Sequence, residues 1–165
     1  MTGLRRFEIH PPHRADGDAI ARVHVEAWRE TYATLLPARF FGEDAVRMRQ
    51  RMWASILDRD PLPPRLRVAE VDGALVGVSF GGPTRDDEPA RALELYLIYL
   101  NADHHGSGVG QALLDAVLGD EPAQLWVAED NPRARAFYRR NGFTPDGARK
   151  VDAEVNDLAE IRLVR

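Results

Sequence analysis

The sequence predicts an α/β protein, a mixed β-sheet with helices on its faces. Three observations predict it. The stretch from Leu93 to Leu118 reads as an apolar strand, a polar turn, a glycine-rich loop and the start of an amphipathic helix. Asp72-Gly73 stands between two strand-like runs, the strongest short hairpin signal. Residues 17–33 carry apolar residues along one face at helical spacing, and a further helical region follows Pro37.

Each element follows in order. Arg6 to His10 is a short first strand, stopped by Pro11-Pro12. Asp16 or Asp18 can cap a helix over 17–33, whose Ile20, Val23, His24, Ala27 and Thr31 share a face. Pro37 opens a helical region with Phe40 and Phe41 near its start. Its second part, Glu43 to Leu57, carries Val46, Met48, Met52, Trp53 and Ile56. Asp60-Pro61-Leu62-Pro63-Pro64 is a rigid connector. It is not read as a domain boundary, because neither side looks self-sufficient, and a single domain over 1–165 is expected.

Arg65 to Val71 and Ala74 to Gly81 form the hairpin. Residues 82–89 are a polar turn whose acidic run reads as a solvated loop tip. The central strand, Ala92 to Leu100, leads to the helix from Gly108 to Leu118. A strand over Ala123 to Ala128 precedes a helix over Pro132 to Asn141, with Pro132 suited to its first turn and Gly142 to its stop. A short strand starting at Phe143-Thr144 and a last one over Asp157 to Val164 complete the order β-α-α-β-β-β-α-β-α-β-β.

Composition narrows the function classes. The 165 residues, 44% hydrophobic and 29% charged, suit a folded domain with a sizeable core. A net charge of −4 gives no sign of general nucleic-acid binding. The absence of cysteine removes disulfides, thiolate metal sites and a cysteine nucleophile. His104 and His105 are adjacent and diverge, and His10, His13 and His24 are scattered, so no metal is expected. The start, MTGLRRFEIH, lacks the apolar core of a signal peptide and no apolar run reaches membrane-spanning length, so a soluble, cytoplasmic protein without membrane association is expected.

The glycine-rich loop carries the chemistry. Gly106, Gly108 and Gly110 alternate just before a helix. Glycines let the backbone turn sharply and approach a ligand closely. The first helical N–H groups have no partner within the helix, and the helix dipole adds positive charge there, which makes an anion site. A P-loop needs Gly-Lys-Ser/Thr, but Gln111 and Ala112 follow Gly110. A dinucleotide fingerprint needs a different glycine spacing and a first βαβ unit.

The sequence His105-Gly106-Ser107-Gly108-Val109-Gly110 resembles the Gln/Arg-x-x-Gly-x-Gly/Ala loop of the Gcn5-related N-acetyltransferase (GNAT) superfamily, with His105 where the family has Gln or Arg. Asn131-Pro132-Arg133-Ala134-Arg135-Ala136-Phe137-Tyr138 through Gly142-Phe143 looks like its N-x-x-A-x-x-x-Y-x-x-x-G-F helix. His24-x-x-x-Trp28-x-x-x-Tyr32 before Leu35-Leu36-Pro37 is similar to a bacterial branch that modifies small molecules or proteins.

The resemblance implies a GNAT-like acyl-CoA N-acyltransferase fold with splayed central strands, and acetyl-CoA as co-substrate. It implies that the amides of His105, Gly106, Ser107, Gly108, Val109, Gly110 and Gln111 hold the pyrophosphate. Leu97, Ile98, Tyr99 and Leu100 would line the pantetheine arm, the Ile98 N–H bonding the thioester oxygen. Asn131, Ala134, Phe137 and Tyr138 would complete the cofactor contacts, with Asn131 also a helix cap. Tyr138 is the candidate acid that protonates the departing thiolate, and Glu94, eleven residues before His105, the candidate base. Trp28, Tyr32 and Trp126 are candidates for the acceptor side, with core packing as the plainer role of the first two. The implied activity is transfer of acetyl to a primary amine, on a small molecule or a peptide, by direct attack in a ternary complex. The alternative is a non-catalytic acyl-CoA-binding module of the same fold. Family members often form dimers, so a homodimer is a further expectation.

Overall fold

The computed structural model describes residues 6–165. Residues 1–5, on which part of the expectation about the chain start rests, lie outside the described residues. The elements are β1 (Phe7–His10), α1 (Gly17–Tyr32), α2 (Glu43–Leu57), β2 (Leu66–Val71), β3 (Ala74–Pro83), β4 (Leu93–Leu100), α3 (Val109–Leu118), β5 (Gln124–Ala128), α4 (Pro132–Arg140), β6 (Thr144–Asp152) and β7 (Leu158–Val164). Their order is the one expected. The strands form a seven-stranded mixed sheet in the order β1-β2-β3-β4-β5-β7-β6. Among the described residues no helix is long and apolar enough to cross a membrane.

The chain packs as two compact units, each discontinuous in sequence. One takes the chain up to Phe80 together with Leu97–Gly119; the other takes Gly81–Tyr96 and Asp120–Arg165. The Pro-rich connector lies inside the first and divides nothing.

In the first unit, β1 and β3 flank β2, antiparallel to it. Asp72 and Gly73 both take positive φ, 52° and 78°, as a tight hairpin turn of the primed kind demands. Helix α3 buries Val109 and Leu113 against Ala69, Val71 and Val76, with Phe7, Ile9, Ile98 and Leu100 packed around them. Two features bring this helix in close. A Cβ on Gly77 would stand 2.9 Å from Leu113 Cδ1 and 3.2 Å from the Tyr99 carbonyl oxygen. The buried Ser79 hydroxyl donates to the Leu113 carbonyl at 3.0 Å. Arg65 donates to the Val117 carbonyl at 2.7 Å, placing a cation at the helix's negative end.

Ile98 and Leu100 belong to the α3 cluster, whereas Tyr99 stacks on His24 of α1, ring centroids 4.4 Å apart. Alternation along a strand therefore puts α3 on one face of β4 and α1 on the other. Helix α1 buries Ile20, Ala21, Val23, His24, Val25 and Ala27. The buried side of α2 is Ala45, Trp53, Ile56 and Leu57. Of the other apolar residues of this helix, Met48 is exposed and Val46 and Met52 are half-buried, because the stripe centred on Ala45 and Trp53 turns Met48 outward.

In the second unit β7 lies between β5 and β6, antiparallel to both. The pairing of β4 with β5 is parallel and two residues long, Glu94↔Gln124 and Leu95↔Leu125, as splayed central strands require. The strand expected to be short after Phe143 runs instead for nine residues. A register shift between Pro145 and Arg149, with Gly147 at φ 92°, breaks the alternation that would have marked its length.

The acidic run at 86–88 is also corrected. Asp87 and Glu88 are exposed, but Asp86 is an acceptor hub. It accepts from Trp126 Nε1 (3.0 Å), Gln124 Nε2 (2.7 Å) and the Arg162 guanidinium (3.3 Å). Burial alone would raise its pKa; those three donors and the Lys150 charge outweigh burial and hold it below the usual carboxylate range.

Two predictions follow from the first unit. Gly77→Ala forces Leu113 or the Tyr99 backbone aside and should cost about 1–3 kcal/mol in urea unfolding. The second concerns His24. Burial and the nearby Arg49 charge lower its pKa from 6.5 to about 3. The unfolded chain then binds a proton near pH 6.5 that the folded chain refuses until far lower pH. Stability due to the neutral ring is complete above pH 6.5 and drains as pH falls towards 3. Between pH 6 and 5 the wild type should lose about 1.2 kcal/mol more than His24→Gln.

Candidate functional site

In the first unit, β4 delivers the chain into a loop that satisfies most of its own polar groups. Asn101 N–H donates to the Val76 carbonyl, and Glu30 of α1 accepts from Ala102 N–H at 2.9 Å. A single 3-10 turn follows over Ala102–His104. His105 N–H donates to Ala102, and Ser107 donates to the His104 carbonyl through both its N–H and its hydroxyl. Since the Leu100 carbonyl can only accept, the His105 ring donates to it through Nε2 at 3.0 Å. That ring, standing where a Gln or Arg was expected, ties the loop back to the end of β4.

Gly106 and Gly108 take φ of 74° and 89°, and nothing lies within 4 Å of where a Cβ would stand on either. Gly108 is the N-cap of α3. The internal bonds of the loop do not use the N–H groups of Gly106, Gly108 or Gly110. Gly110 sits in the first helical turn, where no intrahelical acceptor exists. The Ser107 hydroxyl accepts from Val109 N–H at 3.5 Å, so the donors left over at the helix N-terminus are those of Gly106, Gly108 and Gly110.

The acceptor-side candidates of this unit stand on α1. Trp28 and Tyr32 meet edge to face at 5.2 Å, with the buried His24 one turn earlier. Trp53 Nε1 donates to His24 Nδ1 at 3.2 Å. An indole N–H can only donate, so the neutral His24 ring carries its proton on Nε2. His24 Nε2 and Trp28 Nε1 are buried without a hydrogen-bond partner. Sequence reasoning missed the third member of this group, Arg49. Its signal was available: it lies four residues from both Ala45 and Trp53, on the apolar stripe of α2.

In the second unit, Asn131 caps α4 by accepting from Ala134 N–H at 3.2 Å, and Pro132 occupies the first turn. Tyr138 is the buried residue of α4, its ring set edge-on to Phe137 at 5.3 Å and Phe143 at 5.9 Å; Ala134 and Phe137 are half-buried. Glu94 is 2% exposed. It accepts from the Thr84 hydroxyl (3.2 Å), Arg85 N–H (2.9 Å) and the Arg85 guanidinium (3.0 Å). Arg85 in turn lies 4.0 Å over the Tyr96 ring. Trp126 is engaged at both ends, its N–H on Asp86 and its ring under Lys150 at 4.3 Å. Among the described residues no group of three or more His, Asp or Glu side chains could hold a metal ion.

Residues 63–145, about half of the chain, match the acetyltransferase (GNAT) domain family. The uncharacterized N-acetyltransferase YuaI of Bacillus subtilis is 29% identical over 150 residues, covering 87% of this chain and 81% of the relative. The probable N-acetyltransferase Rv2775 of Mycobacterium tuberculosis is 25% identical over 142 residues, covering 80% and 76%. The crystal structure of PaiA N-acetyltransferase from Thermoplasma acidophilum in complex with coenzyme A superposes with a TM-score of 0.72 at 20% identity, covering 95% of this chain and 98% of that one, a likeness of fold. With glycine loop, capped tyrosine helix and strand order all in place, the chain belongs to the GNAT family of acetyltransferases.

Proposed function

We propose that this acetyltransferase moves the acetyl group of acetyl-CoA onto a primary amine by direct attack in a ternary complex. The observation that carries the reading is the open glycine turn at Gly106 and Gly108, which with Gly110 leaves backbone N–H groups at the α3 N-terminus for a diphosphate. The amides of residues 105–111 hold the pyrophosphate, and the backbone of Leu97–Leu100, Ile98 foremost, bonds the pantetheine arm and the thioester oxygen. Asn131, Ala134, Phe137 and Tyr138 supply the remaining cofactor contacts.

The chemistry asks for three things. The amine must arrive neutral, negative charge on the thioester oxygen must be stabilised, and the thiolate must leave. The amine nitrogen bonds to the carbonyl carbon, the C–S bond breaks, the nitrogen gives up a proton and the sulfur gains one. Tyr138 is assigned the proton delivered to sulfur. A thiol with a pKa of about 8.5 leaves tolerably well unaided, so this help is modest. Glu94, assigned the base by resemblance, already has three donors on its oxygens. Taking a proton would cost one of those bonds.

Purified protein with acetyl-CoA should release free thiol only when an amine is added. Heat of coenzyme A binding without turnover on any amine would leave the non-catalytic acyl-CoA module instead. Tyr138→Phe should lower kcat about tenfold while leaving the KM for acetyl-CoA in place, and a rate equal to wild type removes the acid role. In Glu94→Gln, loss of the acidic limb of the pH–rate profile supports the base. An unchanged limb with a lowered Tm assigns Glu94 to holding residues 84 and 85.

A further inference from the structure

Helices α1 and α2 face each other with two rows of residues at four-residue spacing, His24-Trp28-Tyr32 and Ala45-Arg49-Trp53. Trp53 bonds His24, and the Arg49 guanidinium lies 5.5 Å from the centre of the Trp28 ring. Among the described residues, the buried side-chain polar atoms that these contacts leave without a partner are both donors. His24 Nε2–H is orphaned on a residue 3% exposed, and Trp28 Nε1–H is orphaned beside it, the two ring centroids 6.1 Å apart. Arg49 is half-buried, and among the described residues no carboxylate pairs with it; its guanidinium donates only to the Met52 thioether, at 3.7 Å. Buried donors without acceptors are costly and rare, and two of them beside an uncompensated cation point to an anionic acceptor from outside the chain.

We propose that His24 Nε2–H, Trp28 Nε1–H and Arg49 bind the carboxylate of the acceptor, so that the substrate class is an amine that also carries a carboxylate, an amino acid or a peptide. This rests on the N-acetyltransferase reading above. Two neutral N–H donors match in number the two oxygens of a carboxylate and Arg49 supplies the charge, a recognition mode that an amide carbonyl satisfies less well and a plain alkylamine not at all. His24 suits the part because its buried ring stays neutral and its Trp53 bond fixes which nitrogen carries the proton.

The test uses glycine, β-alanine, γ-aminobutyrate and leucine, each compared with its primary amide and its matched alkylamine. Binding is read from the indole N–H resonance of Trp28 in ¹⁵N-labelled protein, identified by its loss in Trp28→Phe, without any need for turnover. The proposal expects a saturable shift with at least one carboxylate and none with the alkylamines. It also expects Trp28→Phe and Arg49→Met each to raise KM for that amino acid about tenfold or more, with KM for acetyl-CoA unmoved. Equal response to acid and amide overturns the carboxylate. Acetyl transfer with a Trp28 resonance that never moves overturns the site and leaves the donors to a structural water. A carboxylate shift with no turnover on any amine sustains the site and removes the acetyltransferase reading alone.

Discussion

The seating of α3 on the β1–β3 sheet is the constraint on which the first unit depends. A helix can present its bare N–H groups to a ligand only if the rest of it cannot move, and here three separate contacts hold it. Gly77 lets Leu113 come down onto the strand, Ser79 bonds the helix backbone in the middle, and Arg65 closes its C-terminal end. The buried Val109 anchors the first turn directly beside Gly108. Rigidity comes from the core side of the helix, and the donors are left over on the other. That division lets a backbone site work with few demands on side chains and explains how His105 stands where the family has Gln or Arg: its ring serves the loop, through Leu100, and the amides remain.

The opposite face of β4 is organised differently. Between α1 and α2 the packing is aromatic, and among the described residues its unpartnered buried polar atoms are donors. Trp53 settles the tautomer of His24, and burial beside Arg49 keeps that ring uncharged. Placing Arg49 on an apolar stripe carries a desolvation cost that a surface position would avoid. Its place there has a reason if something negatively charged visits the same spot.

In the second unit the polar groups are, by contrast, closed on one another. Gln124, fully buried, accepts from Ala90 and Arg91 N–H and donates to Thr84 and Asp86, which uses its whole hydrogen-bonding capacity. Glu94 takes donors from Thr84 and Arg85, and Asp86 takes those of Gln124, Trp126 and Arg162. Such a network makes a polar segment rigid without an apolar core beneath it. It is the reason residues that read as solvent-facing punctuation, Asp86 above all, hold the unit together.

The sequence by itself determined the order of the elements, the Asp72-Gly73 turn, the Asn131 cap and the glycine-led entry into α3. Each of these is a local conformational preference, expressed within a few residues of the chain. Periodicity also identified the buried face of α1, but the sequence reading gave none for α2, where Met48 is hydrophobic and exposed while Arg49 is charged and turned inward. Hydrophobicity ranks residues, and the helical stripe is a matter of angle. Only the tertiary structure decided that Glu94 would be enclosed by Thr84 and Arg85, that Asp86 would be a hub, and that His24 and Trp28 would keep buried donors with nothing to give them to. Partners separated by nine to seventy-six residues cannot be read from spacing. Whether a polar atom is satisfied depends on what the fold brings to it.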